Sequence, residues 1–452
     1  MRILDRSFIL AAVSAAALTA GTASVQAGSF SIRAGQSAEG LGLSFAGAAS
    51  GGIGLGSIGF NPATITMFPG RHSQVNGTYI LPQAEFEPLD ALTIGTSQRF
   101  GVSPNSGDIG LGGAFVPASY SAFQINERLW VGIATGAPFG LNSKPDVQQF
   151  GGQVYGTSSK VRTLSAAPTI GYKVTDWLSI GASVQVQYFK TTLKQALTPA
   201  FNSPRTILEG DDTSVGWRVG ATITPFTGTT IGLAYRSSIR HTLDGSFVAP
   251  ARLNAVVNAF DNPISANLNL PDFVTFSLSQ QITPDLQAHF TAEWENWSRF
   301  RRIPVVLKNA GVPLTGLNFE YDDGWFFSGG LEYQVRPGLI VRGGIGYELS
   351  PVNDRVRTVR ISDNDRLWLS AGLGYQVTQQ LRLDVSYSHL FVKDAPVFLN
   401  ATSGNPSFNP AVPVPYNAEA KPSIDIVSAS LTYRWDTPAA AAVPVAPIVR
   451  KY

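Results

Sequence analysis

Only 14% of the chain's 452 residues are charged, against the roughly 25% usual in a soluble domain, while 11% are aromatic and 45 are glycine. A formal net charge of +2 offers no basis for nucleic-acid binding, and the absence of cysteine excludes disulfides and thiolate chemistry. So little charge in so long a chain suits a surface that faces lipid on one side.

Residues 1–27 read as a secretory signal. Arg2 and Arg6 supply a charged start, Phe8 to Ala20 an apolar run, and Val25-Gln26-Ala27 a small-residue cleavage site. The apolar run is about 13 residues, short of the roughly 20 that a helix needs to span a bilayer. Residues 28–71 follow, rich in Gly and Ala, nearly uncharged and too interrupted by glycine for a confident helix or strand. A small, backbone-rich segment ahead of many amphipathic strands suggests a plug inside a barrel.

From Ser73 onward the chain alternates apolar and polar residues with a period of two, which means strands. Leu178, Ile180, Ala182, Val184 and Val186 share one face, and Ser179, Gly181, Ser183, Gln185 and Gln187 the other. The pattern recurs over Trp217 to Thr224, and Val427, Ala429, Leu431 and Tyr433 repeat it near the end. Short turns (Asn126 to Arg128, Val174 to Asp176, Pro225 to Thr229, Thr283 to Asp285, Arg336 to Gly338, Val377 to Gln380) alternate with long polar loops near 87–109, 141–158, 194–212, 245–270, 301–320, 351–364 and 394–421. Short turns on one side and long loops on the other is the arrangement of an outer-membrane barrel. Seven loops and six turns require fourteen strands, with both termini on the turn side. The predicted fold is therefore all-β: a fourteen-stranded antiparallel transmembrane barrel over residues 72–435, plugged by the segment before it. Trp130, Trp177, Trp217, Trp294, Trp325, Trp368, Tyr433 and Trp435 are read as membrane girdles. Residues 436–452, Ala- and Pro-rich, are read as a periplasmic tail. Either Trp435 or Tyr452 is the terminal aromatic signal for the barrel-assembly machinery.

Gly54 to Gly59 fits G-x-G-x-x-G but lacks the flanking strand, helix and acidic residue of a dinucleotide site, so close packing of the plug is the better reading. The four histidines show no metal spacing, no G-x-S-x-G elbow occurs, and no cofactor is expected. A hydrolase using His289 or His389 is the enzyme alternative. Glu293 and Glu295 share one lumen face, and Arg342 or Arg382 are their expected partners. Arg218, Arg236, Glu332, Arg342, Arg382, Asp384 and Arg434 also fall on lumen faces. Most of these brace the barrel, but an Arg there can receive a ligand carboxylate, and Arg218 and Arg236 are the candidates. Asn61-Pro62-Ala63 reads as a turn, since Pro fixes φ and Asn satisfies nearby backbone groups. In Gly136-Ala137-Pro138-Phe139-Gly140, Pro138 cannot complete a ladder, so the third strand is expected to break there.

With Asn61 to Phe68 (NPATITMF), Ala137 to Leu141 (APFGL), Trp294 to Phe300 (WENWSRF) and the block from Ser350 to Trp368, the chain resembles the FadL family of outer-membrane transporters of long-chain fatty acids and related hydrocarbons. The resemblance implies a passive channel rather than an enzyme, in the outer membrane of a Gram-negative bacterium. Ligand is caught at outer loops, held in a lumen pocket and released sideways when an N-terminal hatch moves. It places hatch gating at Asn61, Pro62 and Ala63, and the lateral opening at Gly136, Pro138, Phe139 and Gly140. The implied partners are a long-chain fatty acid or other hydrophobic molecule, outer-membrane lipid and lipopolysaccharide, around a monomer. A monoaromatic hydrocarbon channel and a surface adhesin are the alternatives.

Overall fold

Alternating strands that hide polar side chains and present apolar ones can satisfy both faces only around a lumen in a membrane, where closure also leaves no unpaired edge. The computed structural model describes Arg33 and residues 35–110, 113–254, 256–410 and 413–436. The wall has fourteen antiparallel strands, four of them built from two pieces after the third, which is itself in two. They are β1 (Arg71–Gln83), β2 (Ala114–Gln124), β3 (Leu129–Gly136 and Gly140–Ser143), β4 (Ser158–Lys173) and β5 (Leu178–Ala196). Next come β6 (Arg205–Phe226), β7 (Thr229–Arg236 and Arg240–Val248), β8 (Pro263–Asn269 and Phe273–Thr283), β9 (Leu286–Glu295 and Arg302–Leu307) and β10 (Val312–Asn318 and Gly324–Arg336). The ring finishes with β11 (Leu339–Leu349), β12 (Arg366–Gln376), β13 (Leu381–Val392) and β14 (Ser423–Arg434). It closes on itself because β1 pairs on both sides, Gly77 facing Pro117 of β2 and Ala429 of β14. The predicted signal and nearly all of the predicted tail lie outside the described residues.

The faces divide as the alternation requires. Ile180, Val184, Val219, Val427 and Leu431 are exposed on the outside, whereas Ser179, Ser183, Gln185, Ser428 and Ser430 are buried within. Trp177, Trp217 and Trp325 stand on the outer surface, but Trp130 and Trp368 do not. Trp130 donates Nε1–H to the Phe68 carbonyl (3.0 Å) and Trp368 donates to Glu348 (3.1 Å), so both point inward. An indole N–H without a partner is costly in an apolar slab, and both find acceptors on the lumen side.

Several expected loops are in fact ladder. The 194–212 stretch is mostly β5 and β6 continuing, with a tip at 197–204, and 301–320 is a hairpin turning at 308–311. Polar composition hides the ladder over 194–212, whereas 302–318 is largely apolar and is broken only at Lys308 to Gly311. Residues 84–110 hold a helix, α1 (Ala91–Arg99), capped by the Asp90 side chain accepting from the Thr93 N–H (2.8 Å). Beside it Phe86–Pro88, Tyr416–Ala420 and Ala395–Leu399 form a small separate sheet.

Residues 35–68 run inside the ring. A single helical turn at Ala38–Gly42 and two 3-10 turns, Gly54–Gly59 and Pro62–Met67, are almost wholly buried. The wall holds them from many directions. Gln74 of β1 donates to Glu39 (2.7 Å), Tyr120 of β2 to the Gln36 carbonyl (2.7 Å), and Ser386 of β13 to the Ala38 carbonyl (2.8 Å). From the opposite wall, Ser277 of β8 accepts from the Ala49 N–H (2.9 Å). Ser44 and Phe45 sit at φ of 48° and 59°, a region that costs a non-glycine residue of order 1–3 kcal/mol. Such strain persists only because the surroundings hold it.

Candidate functional site

Three features meet in the lumen: the Asn61 turn, the interrupted third strand, and a group of charges between them. Asn61 is fully buried and caps the Pro62–Met67 turn, its Oδ1 accepting from the Ala63 N–H (3.0 Å). Pro62 at the first position loses no bond, since its missing N–H has no intrahelical acceptor there. The Asn61 Nδ2 donates to two carbonyls, Ala49 of the interior segment (2.7 Å) and Ala221 of β6 (3.0 Å). One amide thus joins the turn, a second part of the segment and the wall. Glycine on the wall is required here: a Cβ on Gly181 would strike the Ala63 backbone, and one on Gly220 the Asn61 side chain.

The β2–β3 ladder runs from Gln124↔Trp130 to Ser119↔Thr135 and stops. Beyond it, Ala114–Ala118 of β2 pair only with β1, and β3 resumes at Gly140 paired only with β4. Between them lies a gap in the wall, with Pro117 on one edge and Pro138 near the other. Across the break Thr163 of β4 replaces the ladder, accepting from the Phe139 N–H (2.9 Å) and donating to its carbonyl (2.6 Å). The interruption expected from Pro138 is therefore present as geometry. Phe139 itself is buried inward, edge-on to Trp297 at 6.2 Å.

Phe139 stands at the foot of an apolar column. Leu141, Phe189, Leu243, Leu268, Val305 and Ile361 belong to one buried cluster with it, and Val257 from the 249–262 loop closes the top. Trp297, Phe300, Phe319 and Tyr321 pack ring on ring along one side, with centroids as close as 4.4 Å.

At the base of this column Arg236 lies over Phe273 at 4.4 Å and Phe139 at 5.0 Å. Among the described residues no carboxylate makes a salt bridge with it, Glu293 and Glu295 acting on it only from a distance, and its buried Nε has no acceptor. Arg218 is occupied differently, donating Nη1–H to the Gly59 carbonyl (2.7 Å). Arg33, Gln36, Phe60, Pro138, Arg236 and Glu293 line a cavity of only about 30 Å³, room for one or two waters.

The expected partners of Glu293 and Glu295 are corrected by the structure. Both are held by Arg33, with contacts of 2.5 and 2.6 Å, and the Arg33 guanidinium also covers the Phe326 ring at 4.0 Å. Arg342 is committed instead to Glu332 (2.6 Å) and Asp384 (2.8 Å), and Arg382 to Asp384 (2.9 Å). Two acids on one lumen face signal that a cation must come, but a partner 260 positions away carries no local signature. Removing Arg33 leaves two buried carboxylates uncompensated, a loss of about 3–5 kcal/mol for a broken buried pair. Arg33→Met is expected to lower the urea midpoint of the folded barrel, read by tryptophan emission, while Glu293→Gln in the same chain recovers part of it.

The sequence model of the outer membrane protein transport protein family (OMPP1/FadL/TodX) matches residues 18–435. The long-chain fatty acid transport protein of Escherichia coli O6:H1 is 25% identical over 369 residues, covering 74% of this chain and 80% of the relative. Outer membrane protein P1 of Haemophilus influenzae is 24% identical over 376 residues, covering 73% and 79%. Among solved structures, a Pseudomonas aeruginosa FadL homologue superimposes with a TM-score of 0.80 at 22% identity, over 90% of this chain and all of the other. The Ralstonia pickettii toluene transporter TbuX follows the same fold at a TM-score of 0.63 and 17% identity, over 88% and 98%. With its closed fourteen-stranded barrel, this chain belongs to the OMPP1/FadL/TodX family of outer-membrane transport proteins of Gram-negative bacteria.

Proposed function

We propose that the protein passively imports long-chain fatty acids, and that residues 35–68 act as a hatch whose movement opens a path from the apolar column to the gap beside Pro138. The observation that carries this reading is Arg236: a cation without a salt bridge among the described residues, since the nearby Glu293 and Glu295 are taken by Arg33, set between aromatic rings at the foot of an apolar column. A carboxylate can complete its fork of donors while the acyl chain lies in the column, each buried CH₂ contributing about 0.8 kcal/mol. Fatty acid transport in the Escherichia coli relative supports the reading, as does the strain at Ser44 and Phe45, which favours a segment able to rearrange. The cavity is too small for a ligand as it stands, so entry must displace part of the segment. Leu253, Val256 and Phe260 stand exposed on the loop over the column and would make the first contact.

TbuX supports a second reading, an aromatic hydrocarbon as cargo. The two separate at Arg236. In cells lacking their own transporter, Arg236→Gln is expected to reduce labelled oleate uptake at least tenfold at low concentration and to leave toluene uptake unchanged. Oleate uptake equal to that of the unmodified protein would remove the carboxylate role, and toluene uptake alone would make the hydrocarbon the cargo. If neither enters while the barrel is folded at the surface, the loops remain as an adhesin.

A further inference from the structure

The lipid-facing wall is dented behind the Asn61 turn. Where β4 to β8 pass side by side on the turn side of the barrel, a groove of about 610 Å³ opens to the bilayer, within the range of about 300–1,000 Å³ common for small-molecule sites. Its surface is almost wholly apolar. Ile170, Tyr172, Leu233 and Tyr235 form its sides, and Ala182 and Ala221 its floor. Along the same strands the neighbouring outward positions carry Val184, Val219 and Ile223, so the dent comes from two alanines at positions that elsewhere hold branched residues.

We propose that this groove is a binding site for one acyl chain of a phospholipid from the leaflet on the periplasmic, turn side of the membrane. The groove is continuous with the surface that the bilayer already covers, so hydrocarbon is what reaches it. Its lower end lies at Tyr172, one residue from Lys173 and beside the turn before Leu178, where exposed Trp177 marks the interface. Among the described residues Lys173 is paired there with the fully exposed Asp176 (3.1 Å), a surface contact that a lipid phosphate can replace. That depth selects phospholipid over lipopolysaccharide, whose leaflet lies at the loop side.

The inner side of the same strip of wall is where the Asn61 turn rests. Gly181 and Gly220 line the groove and also face Ala63 and Asn61, and the carbonyl of Ala221 in the floor accepts from the Asn61 Nδ2. Only backbone separates a seated acyl chain from the turn. The site is independent of what the barrel transports.

The test uses the full-length protein, incubated with vesicles of phosphatidylethanolamine and phosphatidylglycerol, extracted in mild detergent and weighed by native mass spectrometry. The unmodified protein is expected to retain one phospholipid. Ala182→Leu with Ala221→Leu fills the groove and is expected to reduce retention at least tenfold, and Leu233→Ala, which removes one side without adding bulk, several-fold. Ala371→Leu, outward on β12 across the barrel, is expected to retain it. Folding of each variant is checked by the mobility shift on heating. Equal retention in the filled variant overturns the site, as does equal loss in Ala371→Leu or the retention of lipopolysaccharide in place of phospholipid.

Discussion

A disulfide between Cys replacements of Ala118 and Gly136 is expected to arrest fatty acid uptake at least tenfold when oxidised, and a reductant to restore it. A Cβ built on Gly136 falls 3.6 Å from the Cβ of Ala118, within the roughly 3.5–4.5 Å that a disulfide spans. These two positions form the first rung missing above Ser119↔Thr135, so the bond ties the two edges together at the foot of the gap. Because the cavity beside Pro138 has space only for water, the proposed route needs the two edges and the interior segment to move apart. The native chain has no cysteine, so no other thiol confuses the result. Each single replacement serves as control. Full uptake through the oxidised, surface-exposed barrel would sink the lateral route and leave a path straight through the lumen.

The second large effect is expected at Asn61. Asn61→Ala leaves the Ala63 N–H without its acceptor and withdraws a donor from the Ala49 and Ala221 carbonyls, all in a buried site. Each group left unsatisfied there costs about 1–3 kcal/mol, so the turn loses several kcal/mol of its attachment to the wall. Oleate uptake at equal surface expression is expected to fall to background, and the interior segment to become open to protease from the periplasmic side. Asn61→Asp keeps the acceptor for Ala63 but loses both donations, and is expected to fail equally if the tie to the wall is what matters. Unchanged uptake in Asn61→Ala would mean that the hatch works without this joint.

How much of this could be read in the sequence depends on how local the cause is. The strands were legible because lipid on one side and a buried polar interior on the other impose a period of two on nearly every residue of β5, β6 and β14. Pro138 between glycines announced a break because a missing donor acts on its own strand. Glu293 and Glu295 could be placed on one face for the same reason. What closes around them could not, since Arg33 reaches them only after the chain has folded through the lumen. Trp130 and Trp368 were misplaced because an indole at a strand end looks the same whether it faces lipid or an inward acceptor. The limits of the loops were blurred where β5 and β6 continue past 194, since composition there is polar while the backbone keeps its ladder.

The gap beside β3 carries one more consequence. An unpaired edge is a template on which a strand of another chain can zip, and closed barrels avoid that hazard by having no edge. This barrel leaves one unpaired where the β2–β3 ladder stops. Pro117 stands on the β2 side and Pro138 on the β3 side, each without the N–H that an incoming strand would need. The two prolines make the break a poor partner for any other β-edge, so an interrupted wall is kept from fusing with its neighbours.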